Sequence, residues 1–275
     1  MPAASKKIAL ITSMQTFNVQ PAYAKLRAAI ASAGQQAIIF CLANPPNMRC
    51  MARAMNAIDE SLSLRTWTQS AGEEVANGIS HGIGLVGAMI GTPILLLAAF
   101  HHGSIPFFTG TIIFTMTMLL VYVASTLYHC WPQTDTKSLL QVLDHSAIFL
   151  LIAGTYTPFA LGPLRGAGGL AMLGIVWSLA LFGVVMKTTR GVLRHRRLAM
   201  TLYLGTGWIG LTLIRPLALT IPSSALLWLI SGGVAYTAGT LFFANERLRY
   251  GHFVWHLFVL AGSSCHFAAV FICAI

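Results

Sequence analysis

Three observations predict an all-α fold, a bundle of seven membrane-spanning helices. The chain is 56% hydrophobic and only 9% charged, its apolar residues fall in long unbroken runs, and Lys and Arg sit almost wholly between those runs. An average soluble domain carries roughly 25% charged residues, so a water-facing surface cannot be built from so few. A charge-poor run of about 18 residues or more is long enough to cross the hydrocarbon core. Lipid then forces helix, because a lone strand leaves its backbone groups unsatisfied.

The spans read as 82–101, 107–130, 139–161, 167–187, 198–219, 222–244 and 252–274, separated by turn-like segments such as Trp131-Pro132 and Gly162-Pro163. Ser70-Ala-Gly-Glu73 has the S-x-x-E spacing of a capping box, in which each side chain satisfies a backbone N–H of the other. A helix is therefore expected to begin there and run into the first span. Gly87 and Gly91 have the small-xxx-small spacing that lets helices approach closely, and are read as packing residues. The five cysteines (Cys41, Cys50, Cys130, Cys265, Cys273) form no CxxC pair, and are read as free, buried thiols.

The net charge of +10 reflects topology rather than a nucleic-acid partner. Nine basic residues near span ends fall on one side: Arg65, Lys137, Lys187, Arg190, Arg194, Arg196, Arg197, Arg247 and Arg249. Only Arg165 and Arg215 fall on the other. The positive-inside rule then puts the N-terminus in the cytoplasm, and seven spans leave Ile275 outside. Residues 1–70 form a separate basic, Ala/Ser-rich extension with no acid before Asp59. A disordered tail, an organellar presequence and a true start near Met51 or Met55 all fit it, and no function is assigned to it. The membrane domain is 71–275.

An ionisable side chain inside a span costs at least ~2.5 kcal/mol on insertion scales and is a functional candidate by default. Asp144 is the only acid in the apolar core, near the start of the third span. His129 closes the second span, and His252 and His256 open the seventh. Residues four apart on a helix differ by about 40° around the axis and about 6 Å along it, so His252 and His256 leave one face and form a chelating pair. Ser125 and His129 share that spacing. The predicted topology brings His129, Asp144, His252 and His256 to one depth, at the cytoplasmic leaflet.

Three neutral imidazoles with one open position match catalytic zinc, Zn2+, whose fourth ligand is a water acidified to a pKa of about 7. Asp144 is then the candidate general base or water-orienting group, and Ser125 a donor to Asp144 or to a substrate carbonyl. Taken singly, each histidine reads first as an interfacial residue; their convergence carries the metal reading. Cys130 points about 100° away from His129. His266 lies about 21 Å beyond His252 along the axis, too deep for the same ion, and reads as a packing or hydrogen-bonding residue. His101, His102 and His145 read as interfacial. Glu73, Glu74, Asn77 and His81 form a polar stripe at helical spacing, read as a solvated pre-membrane helix, with a supporting or gating role open for His81.

Four motifs carry a resemblance: Glu73-Glu-Val-Ala-Asn77-Gly-Ile-Ser-His81-Gly; Ser125-Thr-Leu-Tyr-His129; Leu143-Asp144-His145 followed by Ala153-Gly-Thr-Tyr-Thr-Pro158-Phe; and His252-Phe-Val-Trp-His256 running on to Cys265-His266-Phe. Over about 71–275 the chain resembles the bacterial hemolysin III branch of the progestin and adipoQ receptor family. The resemblance implies seven spans, a cytoplasmic N-terminus, an integral protein of the bacterial inner (plasma) membrane, and zinc held by His129, His252 and His256 with Ser125 and Asp144 beside it. Eukaryotic relatives act as receptors with ceramidase-like activity, and the wider superfamily includes zinc-dependent lipid amidases. The bacterial branch is named for haemolysis and described as pore-forming. The expected function is zinc-dependent hydrolysis of a membrane-lipid amide or ester. A pore-forming cytolysin and a lipid-sensing receptor with structural zinc are the alternatives.

Overall fold

The computed structural model describes residues 69–132, 134–166, 168–188, 196–245 and 248–275. The N-terminal extension, apart from Gln69 and Ser70, lies outside the described residues, as do Cys41 and Cys50. Among the described residues seven helical segments are long and apolar enough to cross a membrane, and there is no strand. The protein is an integral membrane protein.

The capping box forms as predicted at the head of α1 (Ala71–His101). Ser70 Oγ accepts from the Glu73 N–H at 3.3 Å, and Glu73 Oε2 accepts from the Ser70 N–H at 2.8 Å. The other Glu73 oxygen accepts from the Tyr250 N–H at 2.8 Å. That bond ties the start of α1 to the turn before the last helix, where Tyr250 takes a left-handed conformation with φ of 59°. Large apolar residues of α1, among them Val75, Ile79, Ile83, Val86 and Ile90, stand exposed at helical spacing, the stripe a lipid-facing helix needs.

α2 (Ile105–Cys130), α3 (Asp135–Leu161) and α4 (Gly169–Thr188) follow, each packed on its predecessor. After the fifth span come α7 (Ser223–Ala244) and α8 (Gly251–Ala274), which pack on each other, and α8 also packs on α1. Close approach depends on glycine at several contacts, among them Gly84 of α1 and Gly110 of α2. A Cβ on Gly84 would lie 2.6 Å from the Tyr122 ring, and one on Gly110 would lie 2.6 Å from the Pro158 backbone.

The fifth span, predicted as one helix over 198–219, is broken. It consists of α5 (Arg196–Trp208), a 3-10 turn (Ile209–Leu213) and α6 (Ile214–Thr220). Pro216 has no N–H to donate and its ring clashes with the preceding turn of a continuous helix. Restarting the helix at Ile214 places Pro216 in a first turn, where no intrahelical donor is required. The Tyr156 hydroxyl enters the break, donating to the Gly207 carbonyl at 2.5 Å and accepting from the Gly210 N–H at 3.0 Å.

Two smaller expectations are corrected. Gly87 meets nothing within 4 Å, while a Cβ on Gly91 would touch the Phe267 ring at 3.0 Å; of these two, Gly91 alone packs against another part of the chain. Cys130, Cys265 and Cys273 are free thiols as expected, but Cys130 is exposed and the other two are partly exposed. Cys273 packs against the hydrophobic core, and the Cys130 sulfur lies where a Cβ on Gly78 would meet it. In detergent, Gly110→Ala is expected to lower unfolding stability by about 1–3 kcal/mol, because backbone must move to admit the methyl. Gly87→Ala is expected to stay within about 0.5 kcal/mol of wild type; thermal unfolding of the two variants side by side checks this.

Candidate metal centre

The last turn of α2 carries His129 and the first two turns of α8 carry His252 and His256. One ring nitrogen from each lies within 4.8 Å of the others. Ring centroids are 5.1 Å apart for His129 and His252, 5.0 Å for His129 and His256, and 4.6 Å for His252 and His256. The three histidines expected to converge do so, at the end of the bundle that carries the start of α1.

Hydrogen bonds behind two of the rings fix which nitrogen faces the centre. His129 Nδ1 is 2.8 Å from Glu74 Oε2. A carboxylate only accepts, so Nδ1–H donates and Nε2 keeps a bare lone pair. That Nε2 is buried without a hydrogen-bond partner among the described residues. His256 Nδ1 lies 3.3 Å from the Asn77 carbonyl and 3.2 Å from Ser80 Oγ, whose own proton goes to the same carbonyl. Here too Nδ1–H donates, leaving Nε2 as the available donor atom. Metal-binding histidines are held this way, with the second nitrogen bonded to a carboxylate or backbone carbonyl. A buried lone pair without a partner costs about 1–3 kcal/mol, and a cation meets it. The cluster therefore fits a metal ion of the kind imidazole favours.

Glu74 is itself held. Lys137 Nζ is 3.0 Å from Glu74 Oε1 and donates to the Trp131 carbonyl at 3.2 Å. Lys137, counted above for topology alone, is only 6% exposed. The stripe on α1 is likewise no solvated face: Asn77 is 0% and His81 3% exposed. Sequence reasoning missed the parts played by Glu74, Asn77, Ser80 and Lys137. The available signal was the spacing of Glu74, Asn77 and His81 at i, i+3 and i+7, one face of a helix entering an apolar run.

Asp144 on α3 is buried but is not one of the three mutually close ligand groups. Ser125, His129 and Lys187 lie near enough to act electrostatically on its carboxylate. Asp144 shares a small cavity of about 20 Å³ with His81, His145, His252 and His256. His81 stacks on His256, with ring centroids 3.6 Å apart and planes 10° from parallel, and both its nitrogens are buried without a hydrogen-bond partner among the described residues. His145, expected at the interface, instead lines this cavity. His101 and His102 are exposed at the opposite end, and Cys130, whose sulfur lies against Gly78, is not part of the ligand cluster.

The family model described as "Haemolysin-III related" matches residues 69–267, which span the whole cluster and most of the bundle. The chain belongs to the haemolysin III family. The chain is 42% identical over 203 residues to the "Hemolysin-3 homolog" of Bacillus subtilis (strain 168), covering 74% of this chain and 93% of the relative. It is 39% identical over 203 residues to "Hemolysin-3" of Bacillus cereus, with 74% and 92% covered. A more distant likeness, 25% over 208 residues with 72% and 83% covered, links it to the "Monocyte to macrophage differentiation factor" of Homo sapiens. For this haemolysin III chain, Glu74→Gln is expected to weaken metal binding by about 10–100-fold, since the acceptor that orients His129 loses its charge. Lys137→Met is expected to weaken it less. Competition titrations against a chromophoric chelator would measure both.

Proposed function

We propose that the protein is a zinc-dependent hydrolase of a lipid amide or ester bond, with its site at the cytoplasmic leaflet. The reading rests on Asp144, the only buried carboxylate among the described residues, facing one small cavity together with His252 and His256. Zinc bound to His129, His252 and His256 would supply a Lewis acid for a carbonyl oxygen and lower the pKa of water to about 7.

Asp144 takes a proton from a water in the cavity as water adds to the carbonyl carbon, and returns it to the leaving amine or alcohol. Ser125, whose buried hydroxyl has no hydrogen-bond partner among the described residues, is a candidate donor to Asp144 or to the substrate carbonyl. Glu74 and the Asn77 carbonyl hold two imidazoles so that their Nε2 atoms face inward. A larger cavity of about 170 Å³ adjoins the small one, sharing Val121, Ile148, Trp255 and Val259. Its walls are mostly apolar side chains of α3, the fifth span, α7 and α8, suited to a lipid chain. The count of nine basic residues against two supports an N-terminus in the cytoplasm and a C-terminus outside. The bacterial relatives support a bacterial inner (plasma) membrane.

A second reading, membrane lysis by a pore, draws on the names of the two Bacillus relatives. Conducting pores are lined by polar or charged groups, whereas the larger cavity here is walled chiefly by apolar residues.

Purified protein in nanodiscs is expected to turn over lipid amides or esters. Chelation or His252→Ala should reduce the rate at least about 100-fold, and unchanged turnover in that variant would overturn the proposal. Asp144→Asn should cost about 10²–10⁴-fold while bound metal, measured by elemental analysis, stays at the wild-type level. Dye release from liposomes that persists in both variants would favour the lytic reading.

A further inference from the structure

The larger cavity is not uniformly apolar. On its wall, ten residues beyond His256 on α8, stands His266, 9% exposed, with Tyr236 of α7 beside it. Their ring centroids are 5.4 Å apart. Both rings occupy space that glycines leave open. A Cβ on Gly232 of α7 would lie 2.4 Å from His266 Nε2, and one on Gly262 of α8 would lie 2.8 Å from the Tyr236 ring. Each helix thus receives the other's polar ring at a residue without a side chain.

The hydrogen bonds leave a defined chemistry there. His266 Nε2 lies 3.3 Å from the Leu229 carbonyl; a carbonyl only accepts, so Nε2 carries the proton and Nδ1 is a bare acceptor. That Nδ1 and the Tyr236 hydroxyl are both buried without a well-formed hydrogen bond among the described residues, although Ser263, whose own proton goes to the Val259 carbonyl, lies near the hydroxyl. One acceptor and one hydroxyl, carried by neighbouring rings on the wall of an apolar cavity, complement an alcohol, which can donate to the first while accepting from the second. An unbroken hydrocarbon chain would leave both groups unsatisfied.

We infer that His266 and Tyr236 form a subsite for a hydroxyl group borne part-way along a lipid chain. The inference rests on the reading above, in which the carbonyl end of that chain lies at the histidine cluster. Ten residues of helix separate His256 from His266 by about 15 Å, which puts the hydroxyl about a dozen carbons from the carbonyl when the chain is extended. Tyr236 and His266 are specificity-determining residues here and take no part in bond breaking.

The test reads binding, so it does not depend on turnover. Full-length protein loaded with zinc is titrated calorimetrically with octadecanoic acid and with its 12-hydroxy derivative, whose carboxylates mimic the carbonyl end. The hydroxylated acid is expected to bind about tenfold more tightly, the gain of one well-satisfied buried hydrogen-bonding group. Tyr236→Phe, which removes only the hydroxyl, should reduce the preference to about threefold, and His266→Phe should abolish it. Moving the hydroxyl next to the carboxylate should abolish it in wild type. Equal affinity for the two acids, as expected if a trapped water already joins the two groups, would overturn the inference. So would a preference that survives in both variants, or failure of either acid to bind. Absence of turnover together with the preference would refute the hydrolase reading alone; turnover with equal binding would refute the hydroxyl subsite alone.

Discussion

Inside a bundle surrounded by hydrocarbon, a polar group has no water to fall back on and must find its partner in the protein. The bond between Glu74 and His129 is where that constraint bears hardest. It joins the first helix to the second, brings a carboxylate below the water-facing rim, and requires Lys137 as counter-charge. With Glu74 in place the His129 ring has one orientation and one bare nitrogen. The histidine cluster then depends on α1 as much as on the two helices that carry the imidazoles, because Asn77 and Ser80 hold His256 from the same helix.

This explains why α1 is anchored so firmly at its head. The capping box satisfies the first backbone donors of the helix, and Glu73 reaches across to the turn that starts α8. The two helices flanking the cluster are therefore joined within one residue of Glu74. Small shifts at the start of α1 would move the acceptors behind two of the three rings together.

Much of this architecture was legible in the sequence, for identifiable reasons. Spans and their ends follow from local composition, and the pairing of His252 with His256 follows from helical rise, so both were read correctly. The convergence of His129 with them followed from alternation of spans alone. What sequence could not carry was the identity of neighbours. Lys137 reads as one more interfacial charge until Glu74 is placed opposite it. The stripe from Glu74 to His81 has the same periodicity whether it faces water or a neighbouring helix. Gly87 and Gly91 are indistinguishable as letters, yet only one meets a ring. The break in the fifth span had a local signal in Pro216, but its repair by Tyr156 comes from another helix. The adjoining apolar cavity is a property of six spans at once and has no sequence signature.

The size of the chamber shared by Asp144 and the histidines has a chemical consequence of its own. About 20 Å³ is little more than the roughly 10–15 Å³ needed to seat a single water molecule. Water fits beside the carboxylate more readily than a methanol or a second lipid hydroxyl does. Under the proposed hydrolase reading, that bias favours cleavage over exchange of one lipid headgroup for another.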